Sequence, residues 1–390
     1  MSRDAVIVAG VRTAVAREAG ALKDVPPEKY AGAVINEALA RAGAEGGDVE
    51  DVIFGNVLGG GGNIARLSLL EAGLPIDVPG MTVDRQCASG LQAIALAMEL
   101  ASHGQGGLFV AGGVESMTRA PYMMARPESA FSRMPPSFKR HQLSPDCIGN
   151  PMMGETAENV ARQKTVSRED QDAFALRSQQ NAAAAIAEGR FKEQILPLEV
   201  PAGRGETRQF DTDEHPRPTT TAEALAKLRP AFAKDGSVTA GNSSGINDGA
   251  AAVVVMSAAE AQRRGVPGQL RLRAWAVAGV DPNTMGMGPV PATRKALERA
   301  GMNIRDVDLV EINEAFASQA VACIRELDMD PERVNVSGGA IALGHPLGAT
   351  GAILTLKLLT DLKRTNGSVG LVTACIGGGQ GMTAIFERIN

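Results

Sequence analysis

Aromatic side chains and long apolar runs are scarce in this chain of 390 residues, and it has no excess of positive charge. Aromatic residues make up 3% of the sequence, which leaves few platforms on which nucleic-acid bases could stack. The formal net charge of −5 argues against a surface built to neutralise phosphates, so we expect no nucleic-acid partner. No apolar stretch reaches the roughly 18 residues of a membrane span, and the apolar run near the N-terminus is too short for a signal peptide. A soluble, cytoplasmic protein without membrane association is therefore expected.

Cysteine and histidine are rare as well, with four residues of each. The cysteines include no Cys-x-x-Cys pair and do not suggest a disulfide framework in so long a chain. No two histidines have the spacing of zinc ligands, so we expect no metal site. Cys147 and Cys323 have no motif around them and are interpreted as packing residues. Glycine is abundant, with 45 residues, but no glycine run is followed by the Lys-Ser/Thr of a phosphate-binding P-loop.

The chain contains an internal duplication. Residues 38–43 (Ala-Leu-Ala-Arg-Ala-Gly) recur as residues 296–301 (Ala-Leu-Glu-Arg-Ala-Gly), an offset of 296 − 38 = 258. The same offset relates Cys87 to His345. If the two copies pack as pseudo-symmetric partners, the fold itself brings a thiol and an imidazole together. A cysteine needs such a base, or another device that lowers its pKa, to be strongly nucleophilic at neutral pH.

Short apolar runs alternate with helical patterns in both copies, which predicts two similar layered α/β halves. Ala5–Ala9 is a continuous apolar run closed by Gly10, as expected of a strand buried on both faces. Leu108–Ala111 is another such strand, and a buried helix is predicted to begin directly after Cys87.

A long insertion with a different composition separates the two halves. It opens with Pro- and Met-rich sequence between Pro121 and Met153, followed by an alanine-rich helix that Ser167 and Asp170 cap. An insertion of this length usually has a function, such as covering the substrate; a surface excursion without a role is the alternative. We predict three parts: an N-terminal α/β half of residues 1–118 and 248–268, a loop domain of residues 119–247, and a C-terminal α/β half of residues 269–390.

Five segments stand out for their cysteine, histidine, asparagine and glycine residues. They are Asp84–Gly90 with Cys87, Val238–Gly249, Asn313–Phe316 with the sequence Asn-Glu-Ala-Phe, Gly344–Pro346 with His345, and Cys375–Gly381 with its glycine run. Together and in this order they resemble segments of the thiolase family, the acetyl-CoA acyltransferases, and the resemblance spans essentially the whole chain. It implies the thiolase-type α/β fold, in which two similar halves form αβαβα layers and carry an inserted loop domain.

The residues themselves indicate how such a site would work. Cys87 precedes a helix whose N-terminal dipole favours a thiolate, and His345 is the natural base. An unperturbed cysteine with a pKa of about 8.5 is only a few per cent ionised at neutral pH, so that base matters. Cys375 is a candidate second thiol that acts as acid and base. The neutral amide of Asn313 is suited to orient a water or to donate to an oxyanion.

The resemblance to thiolases implies a ping-pong acyl transfer through a thioester on Cys87. In the degradative direction, His345 takes the Cys87 proton and the thiolate attacks the 3-keto carbon of a 3-ketoacyl-CoA. Acetyl-CoA leaves as an enolate, which Cys375 protonates, and CoA then attacks the thioester. CoA is thus a substrate, and no cofactor is expected. One oxyanion hole would comprise His345 and a water held by Asn313, and the backbone N–H groups of Cys87 and Gly377 would form the other.

The same resemblance places CoA against the loop domain and predicts a homo-oligomer, either a dimer or a tetramer. The residues expected to contact CoA or to line its channel are Met153, Arg217, Phe232, Ala240, Ser244 and Phe316. Ser244 would contact the pantetheine, the two phenylalanines would line its channel, and Arg217 would lie near the nucleotide. Core packing for the phenylalanines and a solvated surface charge for Arg217 are the alternatives.

One departure from part of the family bears on the substrate. Thiolases that make acetoacetyl-CoA commonly carry His-Met-Gly before a Thr-Ala-Glu-Asn stretch, whereas this chain has Met152 in place of that histidine. An apolar side chain thus replaces an imidazole near the expected position of the substrate tail. We hypothesise a degradative enzyme of fatty acid β-oxidation that accepts acyl chains longer than acetoacetyl. A biosynthetic thiolase specific for acetoacetyl-CoA is the alternative.

Three other functions compete with this interpretation. A decarboxylating condensing enzyme of the ketoacyl-synthase type usually pairs its cysteine with two histidines, or with His and Asn, and Cys375 argues against it. A non-catalytic thiolase-fold protein that binds acyl-CoA or lipid has no need to keep Cys87, His345 and Cys375 together. A redox protein that uses Cys87 and Cys375 as a dithiol is disfavoured because the two lie in separate motifs.

Overall fold

The structure is a computed structural model that describes residues 4–127, 129, 131 and 134–389. Its strands are β1 Ala5–Thr13, β2 Ala16–Arg17, β3 Asp51–Gly55, β4 Gly80–Val83, β5 Leu108–Ser116, β6 Met123–Met124, β7 Phe138–Lys139, β8 Ile195–Leu196, β9 Leu198–Gly203, β10 Glu206–Phe210, β11 Asn247–Ser257, β12 Leu270–Gly279, β13 Leu309–Ile312, β14 Val369–Ile376 and β15 Gln380–Arg388. Its α-helices are α1 Pro27–Arg41, α2 Ile64–Glu71, α3 Ser89–Ser102, α4 Met153–Gln163, α5 Arg168–Ala187, α6 Ala222–Ala226, α7 Ala258–Arg264, α8 Pro289–Ala300, α9 Ala317–Glu326, α10 Ala340–Leu343 and α11 Leu347–Thr365. A 3₁₀ turn, Gln86–Ala88, leads directly into α3.

The strands form two sheet regions that repeat one pattern. In the N-terminal region β3, β5, β11 and β1 are neighbours, and the first pair is parallel whereas the next two pairs are antiparallel. In the C-terminal region β13, β14, β15 and β12 show the same succession of one parallel and two antiparallel pairs. The two regions meet where β1 pairs with β12 at Val6–Arg271 and Ile7–Leu270. This repeat is the structural form of the duplication that the sequence predicts.

Alternate residues of the strands face different apolar layers, as expected for strands covered on both faces. On β11, Val253 lies in the central apolar cluster with residues of α3 and α11, whereas Val254 lies in the outer cluster beneath α1. α3 and α11 contact strands of both sheet regions, and α8 covers β12 and β15. The layers therefore run α-β-α-β-α, which confirms the predicted fold class.

Glycines inside two strands allow the central helices to approach closely. The prediction that Gly10 ends the first strand is wrong, because β1 continues to Thr13. A Cβ at Gly10 would lie 2.5 Å from Cδ2 of Leu356 on α11, so this glycine permits helix packing rather than a turn. β5 likewise runs past its predicted end, through Gly112 and Gly113.

The first turns of α3 and α11 meet backbone against backbone. A Cβ at Gly90 would lie 2.7 Å from the carbonyl oxygen of Gly348, so side chains at this crossing would hold the helices apart. α3 begins two residues after Cys87, and α11 begins two residues after His345. The crossing therefore brings the thiol-bearing and imidazole-bearing segments to the same end of the central layer.

The inserted segment contains α4, α5, α6 and the small hairpins β6–β7 and β9–β10. α4 and α5 contact α9 of the C-terminal half. Towards the N-terminal half, Arg12 and Asp213 form a buried ion pair with an N–O distance of 2.7 Å. β11 begins at Asn247, one residue before the predicted return to the N-terminal half, and the predicted domain boundaries stay predictions. Among the described helices, none combines the length and the apolar character needed to cross a bilayer.

Candidate active site

Cys87 lies at the N-terminal end of α3, in a tight and strained turn. Gln86 has a φ of 45°, in the left-handed region, which costs a residue with a side chain about 1–2 kcal/mol. Its backbone N–H donates to Oδ1 of Asp84 at 2.7 Å, and the N–H of Arg85 donates to Oγ of Ser89 at 2.8 Å. These bonds hold the turn, and the half-buried Cys87 sits between it and the helix.

The thiol of Cys87 faces the glycine turn that follows β14. Gly378 and Gly379 have φ values of 85° and 84°, which favour glycine, and the turn lets the N–H of Gly377 donate to the Cys87 sulfur. Burial raises the pKa of Cys87 to about 11, against the opposing hydrogen bonds from the N–H groups of Gly377 and of Cys87 itself. Near pH 7 Cys87 is therefore a protonated thiol that needs a base. The two N–H groups therefore both point towards the Cys87 sulfur.

Cys375 lies near the end of β14 in an apolar cluster. The other buried members of this cluster are Ala157, Val238, Met285, Ala315 and Phe316. Burial raises the pKa of Cys375 well above its usual value, and the charge of a Cys87 thiolate would act in the same direction. The two thiols are therefore close enough for the ionisation of one to oppose that of the other.

His345 is buried, and its hydrogen bonds define the tautomer of its ring. Nδ1 lies 2.7 Å from Oγ1 of Thr350, and this hydroxyl donates its own proton to the carbonyl oxygen of Pro346 at 3.1 Å. Oγ1 must then accept the proton of Nδ1, so we assign the lone pair to Nε2. Burial lowers the pKa of His345 to about 4, which keeps the imidazole neutral near pH 7. The ring is thus neutral, and Nε2 is the nitrogen that can accept a proton.

Asn247, the first residue of β11, fixes the backbone of His345. Its Oδ1 accepts the N–H of His345 at 2.9 Å, and its Nδ2 donates to the carbonyl oxygen of Ala16 at 3.0 Å. The chain reaches this position through Gly344, which has a φ of 100°. A Cβ at Gly344 would lie 2.6 Å from Cγ of Asn247, so the turn and the hydrogen bond require glycine there.

Asn313 follows β13 and lies between His345 and β14. Its Nδ2 is 3.2 Å from Nε2 of His345, and its backbone N–H donates to the carbonyl oxygen of Thr373 at 2.9 Å. Thr373 precedes Cys375 by two residues, so the amide and the second thiol lie at adjacent strand ends. Oδ1 of Asn313 is buried without a hydrogen-bond partner in the described part of the chain. The structure therefore brings the five predicted catalytic residues together, while their roles stay predictions.

Four of the predicted CoA residues lie next to this cluster. Phe232 is 39% exposed and meets Phe316 edge to face, with ring centroids 6.0 Å apart. Met153 packs partly buried against the cluster of Cys375. The N–H of Ser244 donates to the carbonyl oxygen of Ala315 at 3.0 Å. Through its contact with Phe316, the exposed ring of Phe232 joins the solvent-exposed surface to the buried cluster of Cys375.

The other predicted substrate residues lie at the surface. The backbone N–H of Arg217 donates to Oε1 of Gln179 at 2.8 Å, and its side chain is exposed near His215. Ala240 is exposed in the loop that leads to Ser244. Met152, the residue behind the chain-length hypothesis, is 54% exposed at the beginning of α4.

Three residues that hold the site in place were not predicted. They are Glu115, Asn247 and Thr350. Glu115 is a charged residue near the end of β5, a strand that is buried along its whole length, and that position was an available signal. Asn247 belongs to a segment noted in the sequence, but its bond to His345 spans 98 residues. Thr350 lies one helical turn into α11, and only the structure shows that its hydroxyl faces the imidazole.

Comparison with known proteins assigns the family. The models of the thiolase N-terminal and C-terminal domains match residues 5–259 and 267–388. The chain belongs to the thiolase family. This thiolase family member is 49% identical to an acetyl-CoA acetyltransferase of Pseudomonas aeruginosa, with 99% of this chain and 100% of that one covered. It is 48% identical to the Beta-ketothiolase BktB of Cupriavidus necator, with both chains covered completely.

The crystal structure of the Bacillus anthracis acetyl-CoA acetyltransferase matches with a TM-score of 0.93 and 44% identity, over 99% of both chains. The predictions of a thiolase-type fold and of an acyltransferase are therefore confirmed. Across the described residues no three His, Cys, Asp or Glu side chains are grouped to hold a metal ion. That neither metal nor cofactor takes part stays a prediction.

Proposed function

We propose that this chain catalyses the CoA-dependent cleavage of 3-ketoacyl-CoA to acetyl-CoA and a shortened acyl-CoA, and the reverse condensation. The observation that carries the proposal is the convergence of two thiols, Cys87 and Cys375, on one glycine turn beside a neutral imidazole. A protein that only binds acyl-CoA has no need for a second thiol or for a neutral imidazole whose lone pair lies on Nε2.

The first half-reaction begins with transfer of the Cys87 proton to Nε2 of His345. The Cys87 sulfur bonds to the 3-keto carbon, the C2–C3 bond breaks, and its electron pair leaves on acetyl-CoA as an enolate. Cys375 donates its proton to that carbon, so acetyl-CoA departs and the acyl group stays on Cys87 as a thioester. The raised pKa of Cys375 supports this role, because a thiol that keeps its proton remains available as an acid.

The second half-reaction restores the protons. Cys375, now a thiolate, takes the proton of the CoA thiol, and the CoA sulfur attacks the thioester carbon. The bond between that carbon and the Cys87 sulfur breaks, and His345 returns its proton to the departing sulfur. The shortened acyl-CoA leaves, and the three residues are again in their starting protonation states.

Negative charge on oxygen is stabilised at two places in this proposal. The N–H groups of Cys87 and Gly377 serve the oxygen of the acyl group bound to Cys87. The enolate oxygen is served by Nε2 of His345, which becomes a donor once protonated, and by a water held at the unpartnered Oδ1 of Asn313. Donors of this kind each lower a barrier by about 3–4 kcal/mol.

For CoA, we infer a path over the loop domain to Cys375. Phe232 and Phe316 would flank the pantetheine, Ser244 would contact it, and Met153 would face its reacting end, with Ala240 in the loop beside it. Arg217 would lie towards the phosphates because its charge is exposed. The aromatic pair supports the path, since it joins solvent-exposed surface to the buried cluster of Cys375.

For the acyl group, we infer chains longer than acetoacetyl and a role in fatty acid β-oxidation. Met152 supports this inference, because an exposed apolar side chain at the beginning of α4 favours contact with an alkyl tail. Acetoacetyl-CoA synthesis is the second candidate, and the relative named acetyl-CoA acetyltransferase supports it at 49% identity. The relative named a beta-ketothiolase has nearly the same identity, 48%.

We also infer a cytoplasmic homo-oligomer, a dimer or a tetramer. β4 lies at the edge of the large sheet; Met81 on this strand and Ile76, four residues before it, are exposed apolar residues. An exposed apolar edge of this kind tends to pair with another chain, and a second copy would cover it. Multi-angle light scattering tests this inference: a single species at the chain mass of 40.5 kDa would contradict it.

The proposed reaction is tested by the loss of 3-ketoacyl-CoA on addition of CoA, across several acyl lengths. The variants are Cys87→Ala and, as a matched control, Cys147→Ala, which removes an exposed cysteine that no motif surrounds. Cleavage by the wild type and the control but not by Cys87→Ala is expected. No cleavage at any length, with CoA still bound, would indicate a binding protein instead.

A further inference from the structure

The carboxylate of Glu115 is surrounded by hydrogen-bond donors. Oε2 accepts the N–H groups of Gly348 at 2.9 Å and Val57 at 3.1 Å, and Oε1 accepts the N–H of Leu58 at 3.0 Å. Nδ2 of Asn56 donates to Oε1 at 3.1 Å. Four donors match an ionised carboxylate, because both of its oxygens only accept hydrogen bonds. A glutamine at this position would turn the N–H groups of its amide towards one of these donors. A buried carboxylate whose oxygens accept these hydrogen bonds holds the backbone segments that it contacts in a fixed relative position.

The two segments joined by Glu115 are the loop after β3 and the first turn of α11. Gly348 lies in the turn of α11 where backbone N–H groups have no partner within the helix, so Glu115 on β5 caps that helix from outside. The same turn carries Thr350, which accepts the Nδ1 proton of His345. Gly348 also meets Gly90 at the crossing with α3. A shift of this turn would therefore displace the imidazole relative to the Cys87 segment.

Resting on the proposed function, we propose that Glu115 is a positioning residue whose carboxylate holds the first turn of α11, and with it His345, in register with Cys87. The negative charge of Glu115 has a second consequence. Burial is the main cause of the raised pKa of Cys87, and the Glu115 charge raises it further. Burial raises the pKa of Glu115 itself to about 7, against the hydrogen bonds from Leu58, Gly348 and Val57. Among the described residues, the ionisable groups around this region include Asp84 in the Cys87 turn, Cys375 on β14, His345 before α11, and Tyr30, Asp248 and Arg119 on the side of the Glu115 backbone.

Two substitutions separate the charge of Glu115 from its length. Glu115→Gln keeps the length but removes the charge, and Glu115→Asp keeps the charge but cannot reach all four donors. We expect both variants to lose about tenfold or more in kcat, with KM for CoA changed by less than about twofold. The pH midpoint of Cys87 alkylation by iodoacetamide, followed by peptide mass spectrometry, should fall by about half a unit or more in Glu115→Gln and stay near the wild-type value in Glu115→Asp.

Glu314→Gln is the matched control for the alkylation midpoint. Glu314 is also buried beside a predicted catalytic residue, but its partners are Ser178, Asn335 and the N–H of Ile341. We expect no change of the Cys87 midpoint in this variant. An unchanged midpoint in a folded Glu115→Gln protein, or wild-type kcat in either Glu115 variant, would overturn the proposal. If Glu115→Gln does not fold, kcat and KM of Glu115→Asp decide.

The alkylation result does not depend on turnover. If the wild type cleaves no 3-ketoacyl-CoA, the proposed function fails, and the midpoints still show whether the charge of Glu115 acts on Cys87. If the wild type is active and the Glu115 variants match it, the positioning role fails alone. Circular dichroism and melting temperature identify any variant whose losses follow from unfolding.

Discussion

Replacement of Thr350 by valine tests whether one hydroxyl sets the accepting nitrogen of His345. In the wild type, Nδ1–H donates to Oγ1 of Thr350 at 2.7 Å. Valine keeps the branched shape in α11 but removes this acceptor. The proton is then better placed on Nε2, where it can donate to Oδ1 of Asn313, an atom without a partner in the described structure, once that amide rotates. In this tautomer the nitrogen that should accept the Cys87 proton is already occupied.

The size of the effect follows from the cost of an unpaired buried donor. If the productive tautomer is kept, Nδ1–H loses its partner at a cost of about 1–3 kcal/mol. Because 1.4 kcal/mol corresponds to about a factor of ten in rate, kcat is expected to fall by about 5- to 150-fold. KM for CoA should stay within about twofold, since no described hydrogen bond joins Thr350 to the predicted CoA residues.

The measurement is the initial rate of 3-ketoacyl-CoA loss at saturating CoA, from about pH 6 to pH 9. Thr350→Ser is the matched control, because it keeps the hydroxyl and removes a methyl group; its kcat should remain within about threefold of the wild type. Wild-type kcat in Thr350→Val would show that another group sets the tautomer. An equal loss in both variants would point to packing of α11 and refute the role of the hydroxyl.

Three further outcomes follow from the structure. Lys357 and Glu311 form a buried ion pair with an N–O distance of 2.8 Å. Lys357→Met leaves the Glu311 carboxylate buried without this partner, so the free energy of unfolding, measured in denaturant, should fall by about 3–5 kcal/mol. The double variant with Glu311→Gln should recover most of this loss. Met152→His should narrow the profile of accepted acyl lengths towards acetoacetyl-CoA, and an unchanged profile would count against the chain-length hypothesis. Arg263 and Arg264 lower the pKa of Glu260 from its ordinary value of 4.5 to about 2. This stabilisation is fully present above pH 4.5 and is lost as pH falls through 2, so Arg264→Met should reduce the melting temperature at pH 7 but not near pH 2.

The fold was predictable because both copies of the duplication must bury their strands and their covering helices. Each strand of the central layers needs an apolar run, and each covering helix needs an apolar face, so both copies carry the same signals. Strand ends were less predictable, as β1 and β5 show. Gly10 and Gly113 look like terminators in isolation, yet each makes room for α11, a helix more than 200 residues away in the sequence. Local rules cannot distinguish a glycine that ends a strand from one that a distant helix requires.

The candidate site shows the same division. Cys87, His345, Asn313 and Cys375 lie in short segments whose residue types suggest chemistry, and the structure brings these segments together. The groups that orient them were not predicted. The role of a buried carboxylate such as Glu115 depends on donors that lie on two other segments of the chain. Sequence patterns indicate which atoms react, whereas hydrogen bonds across the fold decide their geometry and protonation.

The duplicated positions Cys87 and His345 experience helix dipoles of the same sign, but the proposed mechanism requires opposite charges at the two side chains. Cys87 and His345 each precede the N-terminus of a central helix, whose dipole favours negative charge at both places. It therefore supports a thiolate at Cys87 and opposes a proton on His345, whose pKa burial already lowers to about 4. In the proposed mechanism, His345 can hold the proton only while negative charge exists nearby, on the enolate or on Cys375. In that mechanism, proton transfer is tied to charge on the substrate, so Cys87 would keep its proton until a bound substrate can take up negative charge.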